Sequence, residues 1–136
     1  MTMRELLSWQ WQGYPMYHRD RMNLLVHLAA VPAFMLANGL IIVAALRSSA
    51  VMLTSGIVAL IVAVALQARG HSWERIPPER FTGVANFIGR LFLEQWVTFP
   101  RFVILGGWRA NFRSARDPVS RQGPACRASE HPNPRS

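Results

Sequence analysis

Residues 17–32, YHRDRMNLLVHLAAVP, decide how the chain is read, because they set two histidines, an amide and a helix start at the mouth of a long apolar run. Asp20 is of a residue type that caps helices, its carboxylate accepting from the free N–H groups of a helix that begins at Arg21. Asn23 and His27 stand four apart inside that helix and share a face. His18 and His27 stand nine apart and would point to opposite sides of one continuous helix. The chain break before Asp20 is therefore what lets His18 turn back toward His27. Pro32 cannot donate to the Leu28 carbonyl, which predicts a kink one turn beyond His27.

Outward from this stretch the chain is apolar. Between residues 24 and 46 only His27 and Asn38 are strongly polar, and about twenty residues at 1.5 Å each cross a hydrocarbon core of about 30 Å. Arg47, Ser48 and Ser49 make a polar turn, after which residues 50–66 are apolar again except for Thr54 and Ser55. The expectation is a transmembrane hairpin with helices over about 21–46 and 50–75. A soluble protein that buries such a hairpin needs enough remaining chain to cover it, and here little remains. The composition agrees: 51% hydrophobic and 16% charged residues, against roughly 25% charged in soluble globular chains.

The flanks read as shorter elements. Residues 2–12 carry Leu6, Leu7, Trp9 and Trp11 among polar neighbours, as in an amphipathic segment at the headgroup level, and Gly13, Tyr14 and Pro15 end it. The second polar cluster, QARGHSWERIPP over residues 67–78, places His71 and Glu74 three apart. Residues 81–108 are apolar but interrupted by Arg90, Glu94, Gln95 and Pro100. They predict one or two shorter helices split near Pro100, with Arg90 and Glu94 paired across one turn. The chain is thus expected to be all-α: an integral membrane helical domain over residues 1–113, then a disordered basic tail over 114–136.

The formal charge is +8 and every one of the fifteen basic residues is arginine. Lysine Schiff-base chemistry is excluded. No basic patch interleaved with aromatics stands on a soluble module, so anionic lipid is the expected partner of this charge and nucleic acid is not. The single cysteine, Cys126, lies in the polar tail, which rules out a disulfide framework and a thiolate metal site. The first apolar helix is expected to act as its own insertion signal. Arg4, Arg19, Arg21, Arg69, Arg75 and Arg80 flank the open end of the hairpin, whereas only Arg47 marks its turn. Both termini are therefore expected on the cytoplasmic side, of the inner membrane if the source is bacterial.

The arms of a hairpin rise equally per residue, so His27 and His71, each roughly twenty positions from the turn, fall at one depth. His18 enters there and Glu74 follows, and polar groups at a membrane face are costly unless they pair or bind something. Imidazoles and a carboxylate without thiolate suit a first-row metal such as iron or zinc. The candidate ligands are His18, His27, His71 and Glu74, with Glu74 either a ligand or the carboxylate that orients His71. Asn23 is expected to support the ligands without joining them. Arg19, Arg21 and Arg75 at this end are expected to serve surface solvation or lipid contact, with a substrate carboxylate as the alternative partner. His131, in the tail, is given no role.

The pattern His18, Asn23, His27, Pro32, followed one apolar hairpin later by Gly70, His71 and Glu74 ahead of Pro77 and Pro78, resembles the small membrane family that contains the fungal endoplasmic-reticulum 2-hydroxy fatty acid dioxygenase. The likeness covers most of residues 17–108. Where that family often has Asn-Pro after the first histidine this chain has Asp20 and Arg21, and Ala30 stands where a glycine is usual, so the chain resembles a divergent member. The resemblance implies an Fe(II)-dependent enzyme that uses O2 to shorten a 2-hydroxy fatty acid by one carbon, with His18, His27, His71 and Glu74 at the iron. Two other readings stand beside it: a non-enzymatic membrane scaffold or lipid-interacting protein, and a bis-histidine haem protein, which a Soret band would reveal.

The topology has a direct check. A cysteine introduced at Ser49, in a background lacking Cys126, is expected to react with an impermeant thiol reagent applied from outside the cell. Labelling from the cytoplasmic side alone would invert the hairpin.

Overall fold

The computed structural model describes residues 2–115, which are all-α, with no strand among the described residues. Six helices follow one another: α1 (Met3–Gly13), α2 (Arg21–Leu46), α3 (Ala50–His71), α4 (Val84–Leu93), α5 (Phe99–Ile104) and α6 (Gly107–Ser114). A 3₁₀ turn, Tyr14–Met16, follows α1, and a π turn, Glu94–Thr98, joins α4 to α5. Of the expected tail, residues 116–136, with Cys126 and His131, lie outside the described residues, while Ser114, expected to begin it, is instead the last residue of α6.

Helix α2 starts where its cap dictates: the Asp20 carboxylate accepts from the N–H groups of Met22 (2.8 Å) and Asn23 (3.2 Å). It runs through Pro32 as one helix. After Arg47 and Ser48, the latter at φ 50°, Ser49 caps α3 by accepting from the Met52 N–H at 3.4 Å. Helix α3 stops at His71, short of the expected residue 75. There the Ser72 hydroxyl donates to the Arg69 carbonyl (2.7 Å), and the N–H groups of Ser72, Trp73 and Glu74 each reach back three residues, tightening the chain off the α path. Pro77 and Pro78 follow.

The two long helices meet along a seam of small residues at intervals of seven. On α2 the buried positions include Asn23, Ala30, Ala37 and Ala44, and on α3 Gly56, Ala63 and Gly70. Gly70 lies against Asn23, and Gly56 lies against the Ala37 carbonyl and Ile41, a register that sets Ala63 opposite Ala30. Small residues at such intervals let two backbones approach closely.

Both long helices are long and apolar enough to cross a membrane, yet only 28% and 17% of their most apolar stretches are buried within the protein. Leu36, Ile42, Leu46, Val51, Ile57 and Ile61 point outward. A core helix of a soluble protein hides such side chains, and each buried one is worth about 1.5–3 kcal/mol. Exposed on this scale, they match a lipid surround.

The remaining helices pack across the open end of the hairpin. Tyr14, Leu24, Val31, Phe99 and Phe102 form the core between the two parts. The expected split near Pro100 is not a break: a π turn leads into α5 across the proline, and the helix ends instead at Ile104, two residues before Gly106, whose φ of 80° is left-handed. Val84, Ile88, Phe92 and Trp96, four apart in turn, form an outward apolar row along α4 and the π turn. Arg90 and Glu94, expected to pair, make no salt bridge among the described residues; the Arg90 Nη1 donates to the Glu79 carbonyl at 2.9 Å.

The seam predicts unequal glycines. A Cβ at Gly70 would overlap the Asn23 Oδ1 and sit 3.5 Å from its Cα, whereas a Cβ at Gly39 meets nothing within 4 Å. Gly70→Ala is expected to lose about 1–3 kcal/mol through overpacking, and Gly39→Ala to be neutral or stabilising by up to about 1 kcal/mol. Thermal unfolding in detergent reads both, and a Gly70→Ala protein as stable as wild type would refute the close approach.

Candidate metal centre

His18 lies in the short non-helical segment between the 3₁₀ turn and α2. That segment is held from three sides. The backbone N–H groups of Arg19 and Asp20 donate to the Glu74 carboxylate at 2.9–3.1 Å. Asn111 on α6 donates its Nδ2 to the carbonyls of Pro15 (2.8 Å) and His18 (2.7 Å). The Tyr14 ring stacks on the imidazole, centroids 4.0 Å apart. The tether through Asp20 also caps α2, so the same turn that starts the helix aims His18 back over it.

His27 sits one turn beyond Asn23 on the buried face of α2, and His71 ends α3. The fourth polar group, Glu94, opens the π turn. Its neighbour Gln95 is fully buried and exchanges two hydrogen bonds with Gln67 of α3, Nε2 to Oε1 at 3.2 Å and 2.6 Å. This reciprocal amide clasp ties the π turn to the hairpin and so fixes Glu94. π turns inside α-helices are rare and collect at functional sites.

These elements bring three imidazoles and one carboxylate together. The Nε2 atoms of His18, His27 and His71 lie 3.4, 3.7 and 4.0 Å from the Glu94 Oε1. One ligand atom from each residue falls within 4.8 Å of the others. The rings pack edge-on, with centroids 4.7–5.0 Å apart.

Proton placement defines the chemistry. The Nδ1 of His18 lies 3.1 Å from the Tyr14 carbonyl and that of His27 lies 3.0 Å from the Asn23 carbonyl. A carbonyl only accepts, so each Nδ1 carries the proton and a neutral ring turns its Nε2 lone pair inward. Both Nε2 atoms are buried and without a hydrogen-bond partner. Burial alone would raise the Glu94 carboxyl; it is held down to about 2 only by a proton-bearing contact with His18 and positive charge among the three imidazoles, a place that a bound cation would take when the rings are neutral. The Tyr14 hydroxyl donates to it at 3.1 Å, and burial beside that carboxylate pushes the phenol well above its ordinary range, which keeps the proton on the donor. Lone pairs facing a carboxylate oxygen repel one another unless a cation stands between them.

A metal ion meets that requirement. Ligand atoms bound at about 2.0–2.2 Å stand roughly 3–4 Å from one another, which is the range of the contacts to Glu94. The group His18, His27, His71 and Glu94 can hold a metal ion. The backbone bonds at Nδ1 are the outer contacts that orient metal-binding imidazoles.

Of the residues singled out in the sequence, the three histidines are brought together and Glu74 is not with them. Glu74 does not orient His71 either: its oxygens receive the Arg19 and Asp20 N–H groups and the Asn23 Nδ2 (2.6 Å). Its task is to pin the His18 segment to α2, because the tight turn after His71 carries its side chain past the imidazoles. Asn23 supports the centre through that bond and through its carbonyl. The carboxylate among the imidazoles is Glu94, which the reading of the sequence assigned to Arg90. A signal was there: Glu94 is the single acidic residue within residues 81–108, and an ionisable group in an apolar stretch is a functional candidate.

No family model, curated protein or solved structure matches this chain. The reading of the site rests on its own geometry.

The two carboxylates are separable by experiment. Glu94→Gln removes a charged donor from the centre and is expected to abolish stoichiometric metal in the purified protein. Glu74→Gln, which loosens the His18 segment, is expected to weaken metal binding by about 10–100-fold. Metal content measured by mass spectrometry after dialysis against graded chelator ranks them, and the reverse ranking would return Glu74 to the centre.

Proposed function

We propose that this protein is an Fe(II)-dependent membrane dioxygenase that shortens 2-hydroxy fatty acids by one carbon. The observation that carries the reading is the convergence of three imidazole nitrogens on the Glu94 carboxylate at the open end of an apolar hairpin. A nitrogen-rich set with one carboxylate and no thiolate suits iron among the first-row metals. Beside the group lies a cavity of about 290 Å3, lined by His18, His71 and Glu94. A substrate can therefore reach the centre from one side. The sequence pattern resembling the 2-hydroxy fatty acid dioxygenase family points the same way.

Iron held there would supply O2 activation and electron transfer. The overall change balances without an external reductant: a 2-hydroxy acid and O2 give the acid one carbon shorter, carbon dioxide and water. His18, His27, His71 and Glu94 would hold the ion. The carbonyls of Tyr14 and Asn23 keep the Nδ1 protons in place, and the Tyr14 hydroxyl holds the Glu94 carboxylate in orientation. The acyl chain would lie along the apolar helices, entering from the bilayer. In this reading the site faces the cytoplasm, both termini lie on that side, and the membrane is the inner one if the source is bacterial. The edge-on packing of the imidazoles leaves no slot for a macrocycle between His27 and His71, which favours a bare ion over haem.

The test uses protein purified anaerobically. Wild type is expected to hold about one iron per chain and, with O2, to convert a 2-hydroxy fatty acid to the acid one carbon shorter. His18→Ala, His27→Ala and His71→Ala are each expected to lose most metal and activity, and the double mutants to be hardly worse, because ligands act as a unit. His131→Ala serves as the control. Full iron and normal conversion in the three single mutants would overturn the reading.

A further inference from the structure

The cavity beside the metal-ligand group has a second polar wall. Arg90, on α4 one turn before Glu94, lines it together with Trp9, Gln10 and Tyr17. The guanidinium is fixed in place within the field of the Glu94 and Glu79 carboxylates, both on this cavity, but in a salt bridge with neither. Its Nη1 donates to the carbonyls of Glu79 (2.9 Å) and Arg80 (3.5 Å), and its plane lies over the rings of Trp9 (4.8 Å) and Phe81 (4.5 Å). Carbonyls and ring faces orient a cation but leave its charge intact. Among the described residues no carboxylate comes within salt-bridge distance of Arg90, and its Nε and Nη2 make no hydrogen bond. Gln10 braces the same wall by donating its Nε2 to the Arg90 carbonyl at 3.2 Å, while its buried Oε1 has no partner.

A half-buried, pre-oriented arginine with free donors, in a cavity whose other wall is the imidazole and carboxylate group, has the chemistry of an anion anchor. We propose that Arg90 binds the carboxylate of the substrate, holding an amphipathic acid with its charged end in the cavity and its chain outside. This deepens the dioxygenase reading and rests on it for the identity of the acid. A volume of about 290 Å3 lies at the small end of ligand pockets, roughly 300–1,000 Å3, so the cavity accommodates the acid end and the first few carbons only. The arginines expected from the sequence stand elsewhere: Arg19, Arg21 and Arg75 line a separate open groove that none of the metal-ligand residues enters. Arg21 there is stacked on Phe112 at 4.4 Å.

The test compares a charged with an uncharged ligand of the same length, 2-hydroxyoctanoate and 2-hydroxyoctanamide, binding to the full-length protein purified anaerobically in detergent. Calorimetric titration without O2 gives affinity independent of turnover. Wild type is expected to prefer the acid by at least about tenfold, the yield of one charge-assisted hydrogen-bonded pair. Arg90→Gln is expected to lose that preference while keeping its metal and its affinity for the amide. Arg90→Lys, which keeps the charge but not the fork, is expected to fall between. Metal content reports on folding of each variant, and the wild-type preference stands as evidence even if Arg90→Gln fails to fold. Equal affinity of wild type for acid and amide, or an acid preference that survives in a metal-loaded Arg90→Gln, would overturn the anchor. A preference that depends on Arg90 in a protein that does not convert the acid under O2 supports the anchor and overturns the dioxygenase reading instead.

Discussion

The structure depends on the contact between Gly70 and Asn23. There the backbones of the two long helices come so close that a side chain on α3 would collide with α2. The contact sets the register of the hairpin at its open end. His71 is the next residue after Gly70, and His27 is one turn beyond Asn23, so a single close approach places two imidazoles of the centre at one depth with their rings 4.8 Å apart. The same Asn23 donates to Glu74, and Glu74 collects the backbone N–H groups on either side of the turn after His18. The third imidazole is therefore tied to the same point. A methyl group at residue 70 would run into the Asn23 Oδ1, so the amide that donates to Glu74 would have to shift, and with it the tie to the His18 segment.

The second tie is of another kind. A carboxylate arriving on a different helix needs a connection that survives in low dielectric, where an unmade hydrogen bond is costly. Gln67 and Gln95 satisfy each other's amides while buried, which joins α3 to the π turn one residue from Glu94. The Tyr14 hydroxyl then fixes the carboxylate from α1's side, and the Tyr14 carbonyl accepts from the His18 Nδ1–H. Glu94, His18 and His27 are thus each oriented by a partner facing away from the centre, whereas the buried Nδ1 of His71 has none. What stays unmade inside is the Nε2 of His18 and of His27.

The helices and the depth of the histidines were legible because both follow from one-dimensional rules. Apolar length gives a span, Asp20 gives a start, and equal rise along two arms gives equal depth. The heptad spacing of Ala30, Ala37 and Ala44 against Gly56, Ala63 and Gly70 was also present in the sequence, but a uniformly apolar run conceals which side is tight. Glu94 was misjudged for a physical reason. Arg90 and Glu94 have the spacing of a helical ion pair, yet pairing is a weak interaction of about 0.2–0.5 kcal/mol, and two aromatic faces and two carbonyls draw Arg90 away. Glu74 misled in the opposite sense. Its proximity to His71 in sequence suggested a shared ligand set, but a three-residue spacing brings side chains together only while the helix continues, and α3 stops at His71.

Charge explains why the two readings of the cavity belong together. His18 and His27 are fully buried, and a group of neutral imidazoles around one carboxylate is stable in such a place only with compensating positive charge. A divalent ion held there would answer the carboxylate of Glu94 and leave one positive charge over. Arg90 adds another along the same cavity, held by groups that cannot neutralise it. A neutral ligand would leave this excess to the Glu79 carboxylate at the cavity wall, whereas a carboxylic acid bound as its anion would meet it between the ion and Arg90. The apolar outer surface of the hairpin and of α4 then selects among anions. On the proposed function, an acid whose chain prefers lipid would reach this cavity already concentrated in the surrounding phase, so charge would select the head and the bilayer the tail.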